Sequence, residues 1–143
     1  MSIKQLTIFV ENKPGRLTEI FEILAEVNID IRAVSVGDTK DFGILRLIVS
    51  DPEAAVKETK KREIAAFLTD VIAIGREDKP GVFAKALRLL SEGGIAVEYI
   101  YAAISKKPGT AYVILRVDDN ERAADVLKNG GVELLSNNEV YGG

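Results

Sequence analysis

Two six-residue stretches hold the residues best suited to chemistry. Asn12-Lys13-Pro14-Gly15-Arg16-Leu17 and Asp78-Lys79-Pro80-Gly81-Val82-Phe83 stand 66 residues apart with Lys-Pro-Gly kept. Each falls where an extended apolar run gives way to helical spacing. Proline is tolerated in a first helical turn, where its missing N–H would be unpaired. Glycine lets backbone or ligand come close, and Asn12 or Asp78 is of N-cap type. Such a helix start offers free N–H groups and the positive end of the helix dipole, a seat for a carboxylate or phosphate. The same residues also make a sound strand-to-helix turn that binds nothing, and local chemistry leaves both readings open.

Other chemistry is poorly provided for. The 143 residues contain no histidine and no cysteine, which excludes Ser-His-Asp and Cys-His machinery and the common zinc sites. The paired carboxylates Asp118 and Asp119 read as a loop and a helix first turn. Neither GxxxxGK[ST] nor GxGxxG occurs, so no nucleotide cradle and no cofactor is indicated. Lys57 to Glu63 is basic but interleaved with glutamate, a solvated helix end. The net charge of −3 argues against nucleic acid, whose binders neutralise phosphates. No apolar run is long enough for a membrane span or a signal peptide, so the cytoplasm is expected. The expectation is a protein that is not an enzyme.

The elements that position these stretches repeat as well. "IKQLTIFV" reads as a strand, and Leu17, Ile20, Phe21, Leu24 and Val27 have helical spacing. Asn28, and Gly93-Gly94 in the second half, are helix-ending residues that tolerate the left-handed conformation. "IDIRAVSV" and "GILRLIV" are strands, "DPEAAVKETKK" a helix and "EIAAFL" a closing strand. The second half repeats the order from "DVIAIG" to "VELL", which sets domains at 1–69 and 70–143. The fold class is α+β, two ferredoxin-like βαββαβ domains, antiparallel sheets with helices on one face. Exposed edges invite pairing, and joining the two second strands would give one eight-stranded sheet.

The repeated phrase resembles the signature of the ACT domain, a small regulatory module of amino-acid metabolism: a polar residue, any residue, Pro-Gly, any residue, then an apolar one. "LAEVNIDI" and "LSEGGIAV" also resemble the family, as does the glycine (Gly43, Gly109) before the third strand. The resemblance covers nearly the whole chain as two tandem copies. It implies a regulatory or sensor protein with a free amino acid at the interface between ACT domains. Asn12, Lys13, Pro14, Gly15, Arg16 and Leu17 would face the second-strand start of the other copy, Gly94 to Ala96, including Ile95. Asp78, Lys79, Gly81, Val82 and Phe83 would face Asn28, Ile29 and Asp30. The family often carries Asn at both places; here each composite site holds one amide, Asn12 or Asn28. The alternative implied is a regulatory subunit docking onto an amino-acid biosynthetic enzyme, such as acetolactate synthase.

Strand alternation directs Leu6, Ile8 and Val10, with Leu45, Leu47 and Val49, toward the helices. The open face would carry Ile3, Thr7, Phe9, Val34, Val36, Ile44 and Ile48 around Arg46, and Ile100, Tyr112, Ile114 and Arg116 in the second domain. That is too apolar for a solvated sheet. An RNA platform is disfavoured by the charge and the few aromatics, so a homodimer interface is expected. Tyr99 and Tyr101 are expected on one face with Ile95 and Val97, opposite the small Ala33 and Ser35 of the first copy.

Overall fold

A computed structural model describes residues 3–38, 42–75, 80–103 and 107–141. The elements run β1 (Ile3–Glu11), α1 (Arg16–Glu26), β2 (Ile31–Asp38), β3 (Phe42–Val49), α2 (Pro52–Lys61), β4 (Ala66–Ile74), α3 (Val82–Glu92), β5 (Val97–Ala102), β6 (Val113–Val117), α4 (Asn120–Asn129) and α5 (Asn137–Tyr141). No helix among them is long and apolar enough to cross a membrane.

The chain divides into two compact units, residues 4–69 and residues 70–143 together with Ile3. Both are α+β and antiparallel. In the first, β3 pairs with β1 through Leu6↔Leu47 and Ile8↔Leu45, and with β2 through Val34↔Leu47 and Val36↔Leu45. The start of β4 lies along β1, where the Phe9 amide donates to the Ala65 carbonyl at 3.0 Å. In the second, β6 pairs with β4 through Ile74↔Val113 and with β5 through Ile100↔Leu115.

Six strands, not eight, are named among the described residues. With no linker between the copies, the first copy's closing strand and the second copy's opening strand are one strand, β4. The second copy's closing strand shrinks to the single bridge Ile74↔Leu134. Within each unit the second strand pairs with the third, β2 with β3 and β5 with β6.

Local sequence explains the helices. Asp51 caps α2 by accepting from the Ala54 amide at 3.1 Å, with Pro52 in the first turn and Lys60 and Lys61 in the last. Asp119 caps α4 through the Arg122 amide at 3.1 Å. α1 ends where Asn28 takes φ 59 and α3 where Gly94 takes φ 71, so that Ile29 and Ile95 donate back to Leu24 and Leu90, each at 2.9 Å. The first core joins Leu6, Ile8, Val10, Leu45, Leu47 and Val49 to Ile20, Leu24, Ile29 and Ala55, as the alternation predicts. The second joins Ile72, Ile74, Val113, Leu115 and Val117 to Ala86, Leu90, Ile95, Ala123 and Leu127.

The other sheet face departs from expectation in two ways. Ile3, Ile48 and Ile114 are buried within the chain rather than open. The register also shifts between Ile31 and Ala33 and between Val97 and Tyr99. A one-residue irregularity moves every following side chain to the opposite face. Val34, Val36 and Ile100 therefore stand on the helix-covered face, opposite Leu47, Leu45 and Leu115. Tyr99 and Tyr101 stand with Arg116 and Ile114, while Val97 pairs with Val117 and Ile95 belongs to the core.

Candidate functional site

In the first unit the chain leaves β1 at Glu11 and turns before α1. The Lys13 amide donates to the Glu11 carbonyl at 2.8 Å and the Arg16 amide to the Lys13 carbonyl at 3.3 Å. This turn places Asn12 too far upstream to cap the helix. The N-cap is Gly15, at φ 87 and ψ −10, with no side-chain cap. Pro14 consequently precedes the N-cap and is not in the first helical turn. The first hydrogen bond along the helix runs from the Glu19 amide to the Gly15 carbonyl, so the Leu17 and Thr18 amides have no acceptor within the helix. α3 begins the same way, with Gly81 as N-cap at φ 88 and ψ −10. A Cβ on Gly15 or Gly81 would meet nothing within 4 Å.

The helix start of α1 opens onto a cleft of about 330 Å³ lined by Val10, Glu11, Asn12, Lys13, Arg16, Leu17, Val36, Gly43 and Leu45. Leu17 is 41% exposed there. The mouth is charged. Lys13 Nζ lies 3.1 Å from Glu11, and Arg16 lies 3.8 Å from Glu11 and 3.3 Å from Glu19. The hydrogen bond from Lys13, then its charge and that of Arg16, holds the Glu11 carboxyl below the usual carboxylate range. Glu11 is thus anionic at neutral pH, and one mouth presents both signs of charge over an apolar floor.

Asn12, Lys13, Arg16 and Leu17 line this cleft, and Pro14 and Gly15 form its turn. Asn28 and Ile29 lie at the far end of α1, roughly 16 Å along an eleven-residue helix, so the first unit does not bring them to its own cleft. Ile29 and Ile95 are core residues at 8% and 4% exposure. In the second unit, Asp78 and Lys79 fall outside the described residues. Gly81 is exposed, Val82 half-buried, and Phe83 packs against the second core. Sequence reasoning missed Val10, Glu11, Val36 and Leu45 as lining residues. A strand pattern marks them as core or edge, and only the β2–β3–β1 register gathers them under the turn. Arg116 has the partners it needs, the Asp70 carbonyl at 2.6 Å and Glu98 at 3.6 Å. Tyr99 and Tyr101 stack on each other with centroids 6.4 Å apart. No metal-holding group of His, Cys, Asp or Glu occurs among the described residues.

Comparison with known proteins adds a family. A family model described as an ACT domain pair matches residues 1–141. A crystal structure of a Bacteroides thetaiotaomicron protein is 42% identical, with 99% of this chain and 96% of that one covered and a TM-score of 0.91. The ligand-free regulatory subunit of aspartate kinase from Thermus thermophilus shares the fold at 20% identity and TM-score 0.63, covering 90% of this chain and 89% of that one. The Thermus flavus regulatory subunit does so at 17% identity and TM-score 0.60, covering 90% of this chain and 92% of that one. A search of curated proteins finds no match.

Proposed function

This chain belongs to the ACT domain pair family, and from that premise we propose that it is a non-catalytic regulatory protein whose ACT domains, 1–69 and 70–143, bind a free amino acid where two ACT domains meet. One observation carries the reading: an uncapped helix start with a left-handed glycine opens onto a cleft of about 330 Å³ that has both charges at its mouth and an apolar floor. An amino acid matches each feature. Its carboxylate faces the Leu17 and Thr18 amides and the Arg16 side chain. Its ammonium faces Glu11, which stays ionised. A short aliphatic side chain suits Val10, Leu17, Val36 and Leu45. The remaining wall comes from the second-strand start of a neighbouring ACT domain, around Gly94 to Ala96. Binding favours the domain arrangement that completes both walls, and so shifts a population of conformers.

The Thermus regulatory subunits of aspartate kinase, which share this fold, support an enzyme of amino-acid metabolism as the partner. The protein acts in the cytoplasm as a homodimer, without a cofactor. Thermal-shift screening against the twenty amino acids tests the function. A ligand at a hundred times its Kd adds about 2.7 kcal/mol to the native state, so one or a few related amino acids should raise the Tm and give a saturable heat in calorimetry. No rise with any amino acid would overturn the amino-acid reading.

A further inference from the structure

The two copies differ at the place where the cleft would recur. Ile74↔Val113 in the second unit corresponds to Ile8↔Leu45 in the first. By that register Ala111 stands where Gly43 stands, and the 66-residue repeat puts Phe83 where Leu17 stands. In the first unit β1 continues past Ile8 to Glu11 and forms a wall of the cleft. In the second, β4 ends at Ile74 and Gly75 takes φ 102, while residues 76–79, the counterparts of Val10 to Lys13, lie outside the described residues. A Cβ on Gly75 would lie 2.6 Å from Phe83 Cε1, 3.2 Å from its Cζ and 3.0 Å from the Ala111 carbonyl oxygen. The tip of the Phe83 ring therefore rests on the Gly75 backbone beside Ala111. Leu17 is 41% exposed in an open cleft, whereas Phe83 is half-buried and packed against the second core.

We propose that Phe83 fills the second cleft from within, so that each chain holds one amino-acid site, at Asn12–Leu17, although the helix-start turn occurs twice. This rests on the amino-acid reading above for the ligand, but the placement of the ring does not. The two helix starts share the backbone geometry of Gly15 and Gly81, and so both could seat a carboxylate; what differs is the room for the rest of the molecule. Leucine at 83 carries neither Cε1 nor Cζ, the atoms that reach Gly75, and would restore the residue of the open copy. The second copy is then not a second receptor.

Two measurements test this. Amide NMR spectra of the full chain are recorded with and without a mixture of the twenty amino acids. Wild type should shift at residues 12–17 and not at 80–83, and Phe83→Leu should shift at both. Shifts at both loops in wild type, or none at 80–83 in Phe83→Leu while 12–17 respond, would overturn the proposal. The second measurement needs no ligand: thermal midpoints of Gly75→Ala, Phe83→Leu and the double variant. Gly75→Ala should lower the midpoint by clearly less in the Phe83→Leu background, since the two ring atoms it would meet are gone and only the Ala111 carbonyl oxygen and the backbone strain remain. Strictly additive changes would overturn the ring placement. If no amino acid shifts either loop while the midpoints couple, the amino-acid reading fails and the filled cleft stands.

Discussion

Replacing Gly15 by alanine tests whether backbone conformation, not space, reserves this position for glycine. At φ 87 a residue with a Cβ is in the left-handed region, which costs about 1–2 kcal/mol for an L-residue. Alanine also restricts the unfolded chain, which returns about 0.4–1 kcal/mol. No steric term is added, because a Cβ there meets nothing within 4 Å. The net loss is about 1 kcal/mol, or roughly 3–5 °C in Tm for a chain of this size. Asparagine, which tolerates positive φ, should cost less than alanine, and valine, β-branched, should cost more. Urea denaturation of the four proteins should therefore give the stability order Gly, Asn, Ala, Val. Gly81, at φ 88 with equally open space, should give the same order. An alanine variant as stable as wild type, or an asparagine variant less stable than alanine, would refute the reasoning. Gly15→Val should also weaken amino-acid binding in calorimetry, since its branched side chain stands at the helix start where the carboxylate is seated.

Removing the helix caps with Asp51→Ala or Asp119→Ala should cost about 1 kcal/mol each by chemical denaturation, and the double variant should show the sum, because the caps serve separate units; strong non-additivity would contradict this. The Glu11 carboxyl should titrate by NMR below the usual carboxylate range and move upward in Lys13→Ala, which removes the hydrogen bond and charge that lower it most; an unchanged midpoint would remove Lys13 as the cause. Because the folded-state value is depressed, any stability from Glu11 is present above the ordinary carboxylate value and is lost as pH falls through the lower one. On this exposed carboxylate the effect should be small, and amino-acid affinity should fade in the same acid window. Light scattering should give a dimer at micromolar concentration, and Val36→Lys, at the exposed β2 edge, should weaken it. A monomeric wild type would refute the homodimer, and a dimer untouched by Val36→Lys would remove the β2 edge from it. Ile48→Asp should unfold the protein, because Ile48 is fully buried within the chain and an unpaired carboxylate there is costly.

Short-range pattern determined much of this protein. The helix faces follow from 3.6-residue spacing and the buried face of β1 and β3 from strict alternation, so Leu6, Ile8, Leu45 and Leu47 lie where a reader of the sequence alone would place them. Asp119 and Asn28 act locally, and their types announce a cap and a left-handed helix end. The repeated Lys-Pro-Gly marks both helix starts, because proline and glycine restrict or free the backbone wherever they stand. Tertiary structure decided what depends on a partner strand. The irregularities at Ile31/Ala33 and Val97/Tyr99 exist only relative to β3 and β6, and they reversed the faces assigned to Val34, Val36, Tyr99, Tyr101 and Ile100. The turn at Lys13 moved the cap from Asn12 to Gly15, since a hydrogen bond from Arg16 to Lys13 is invisible to residue preference. Glu11, Val36 and Leu45 became neighbours of the helix start through sheet register alone. Phe83 against Leu17 looks in the sequence like one apolar residue for another; only the tertiary structure sets the Phe83 ring against the Gly75 backbone beside Ala111.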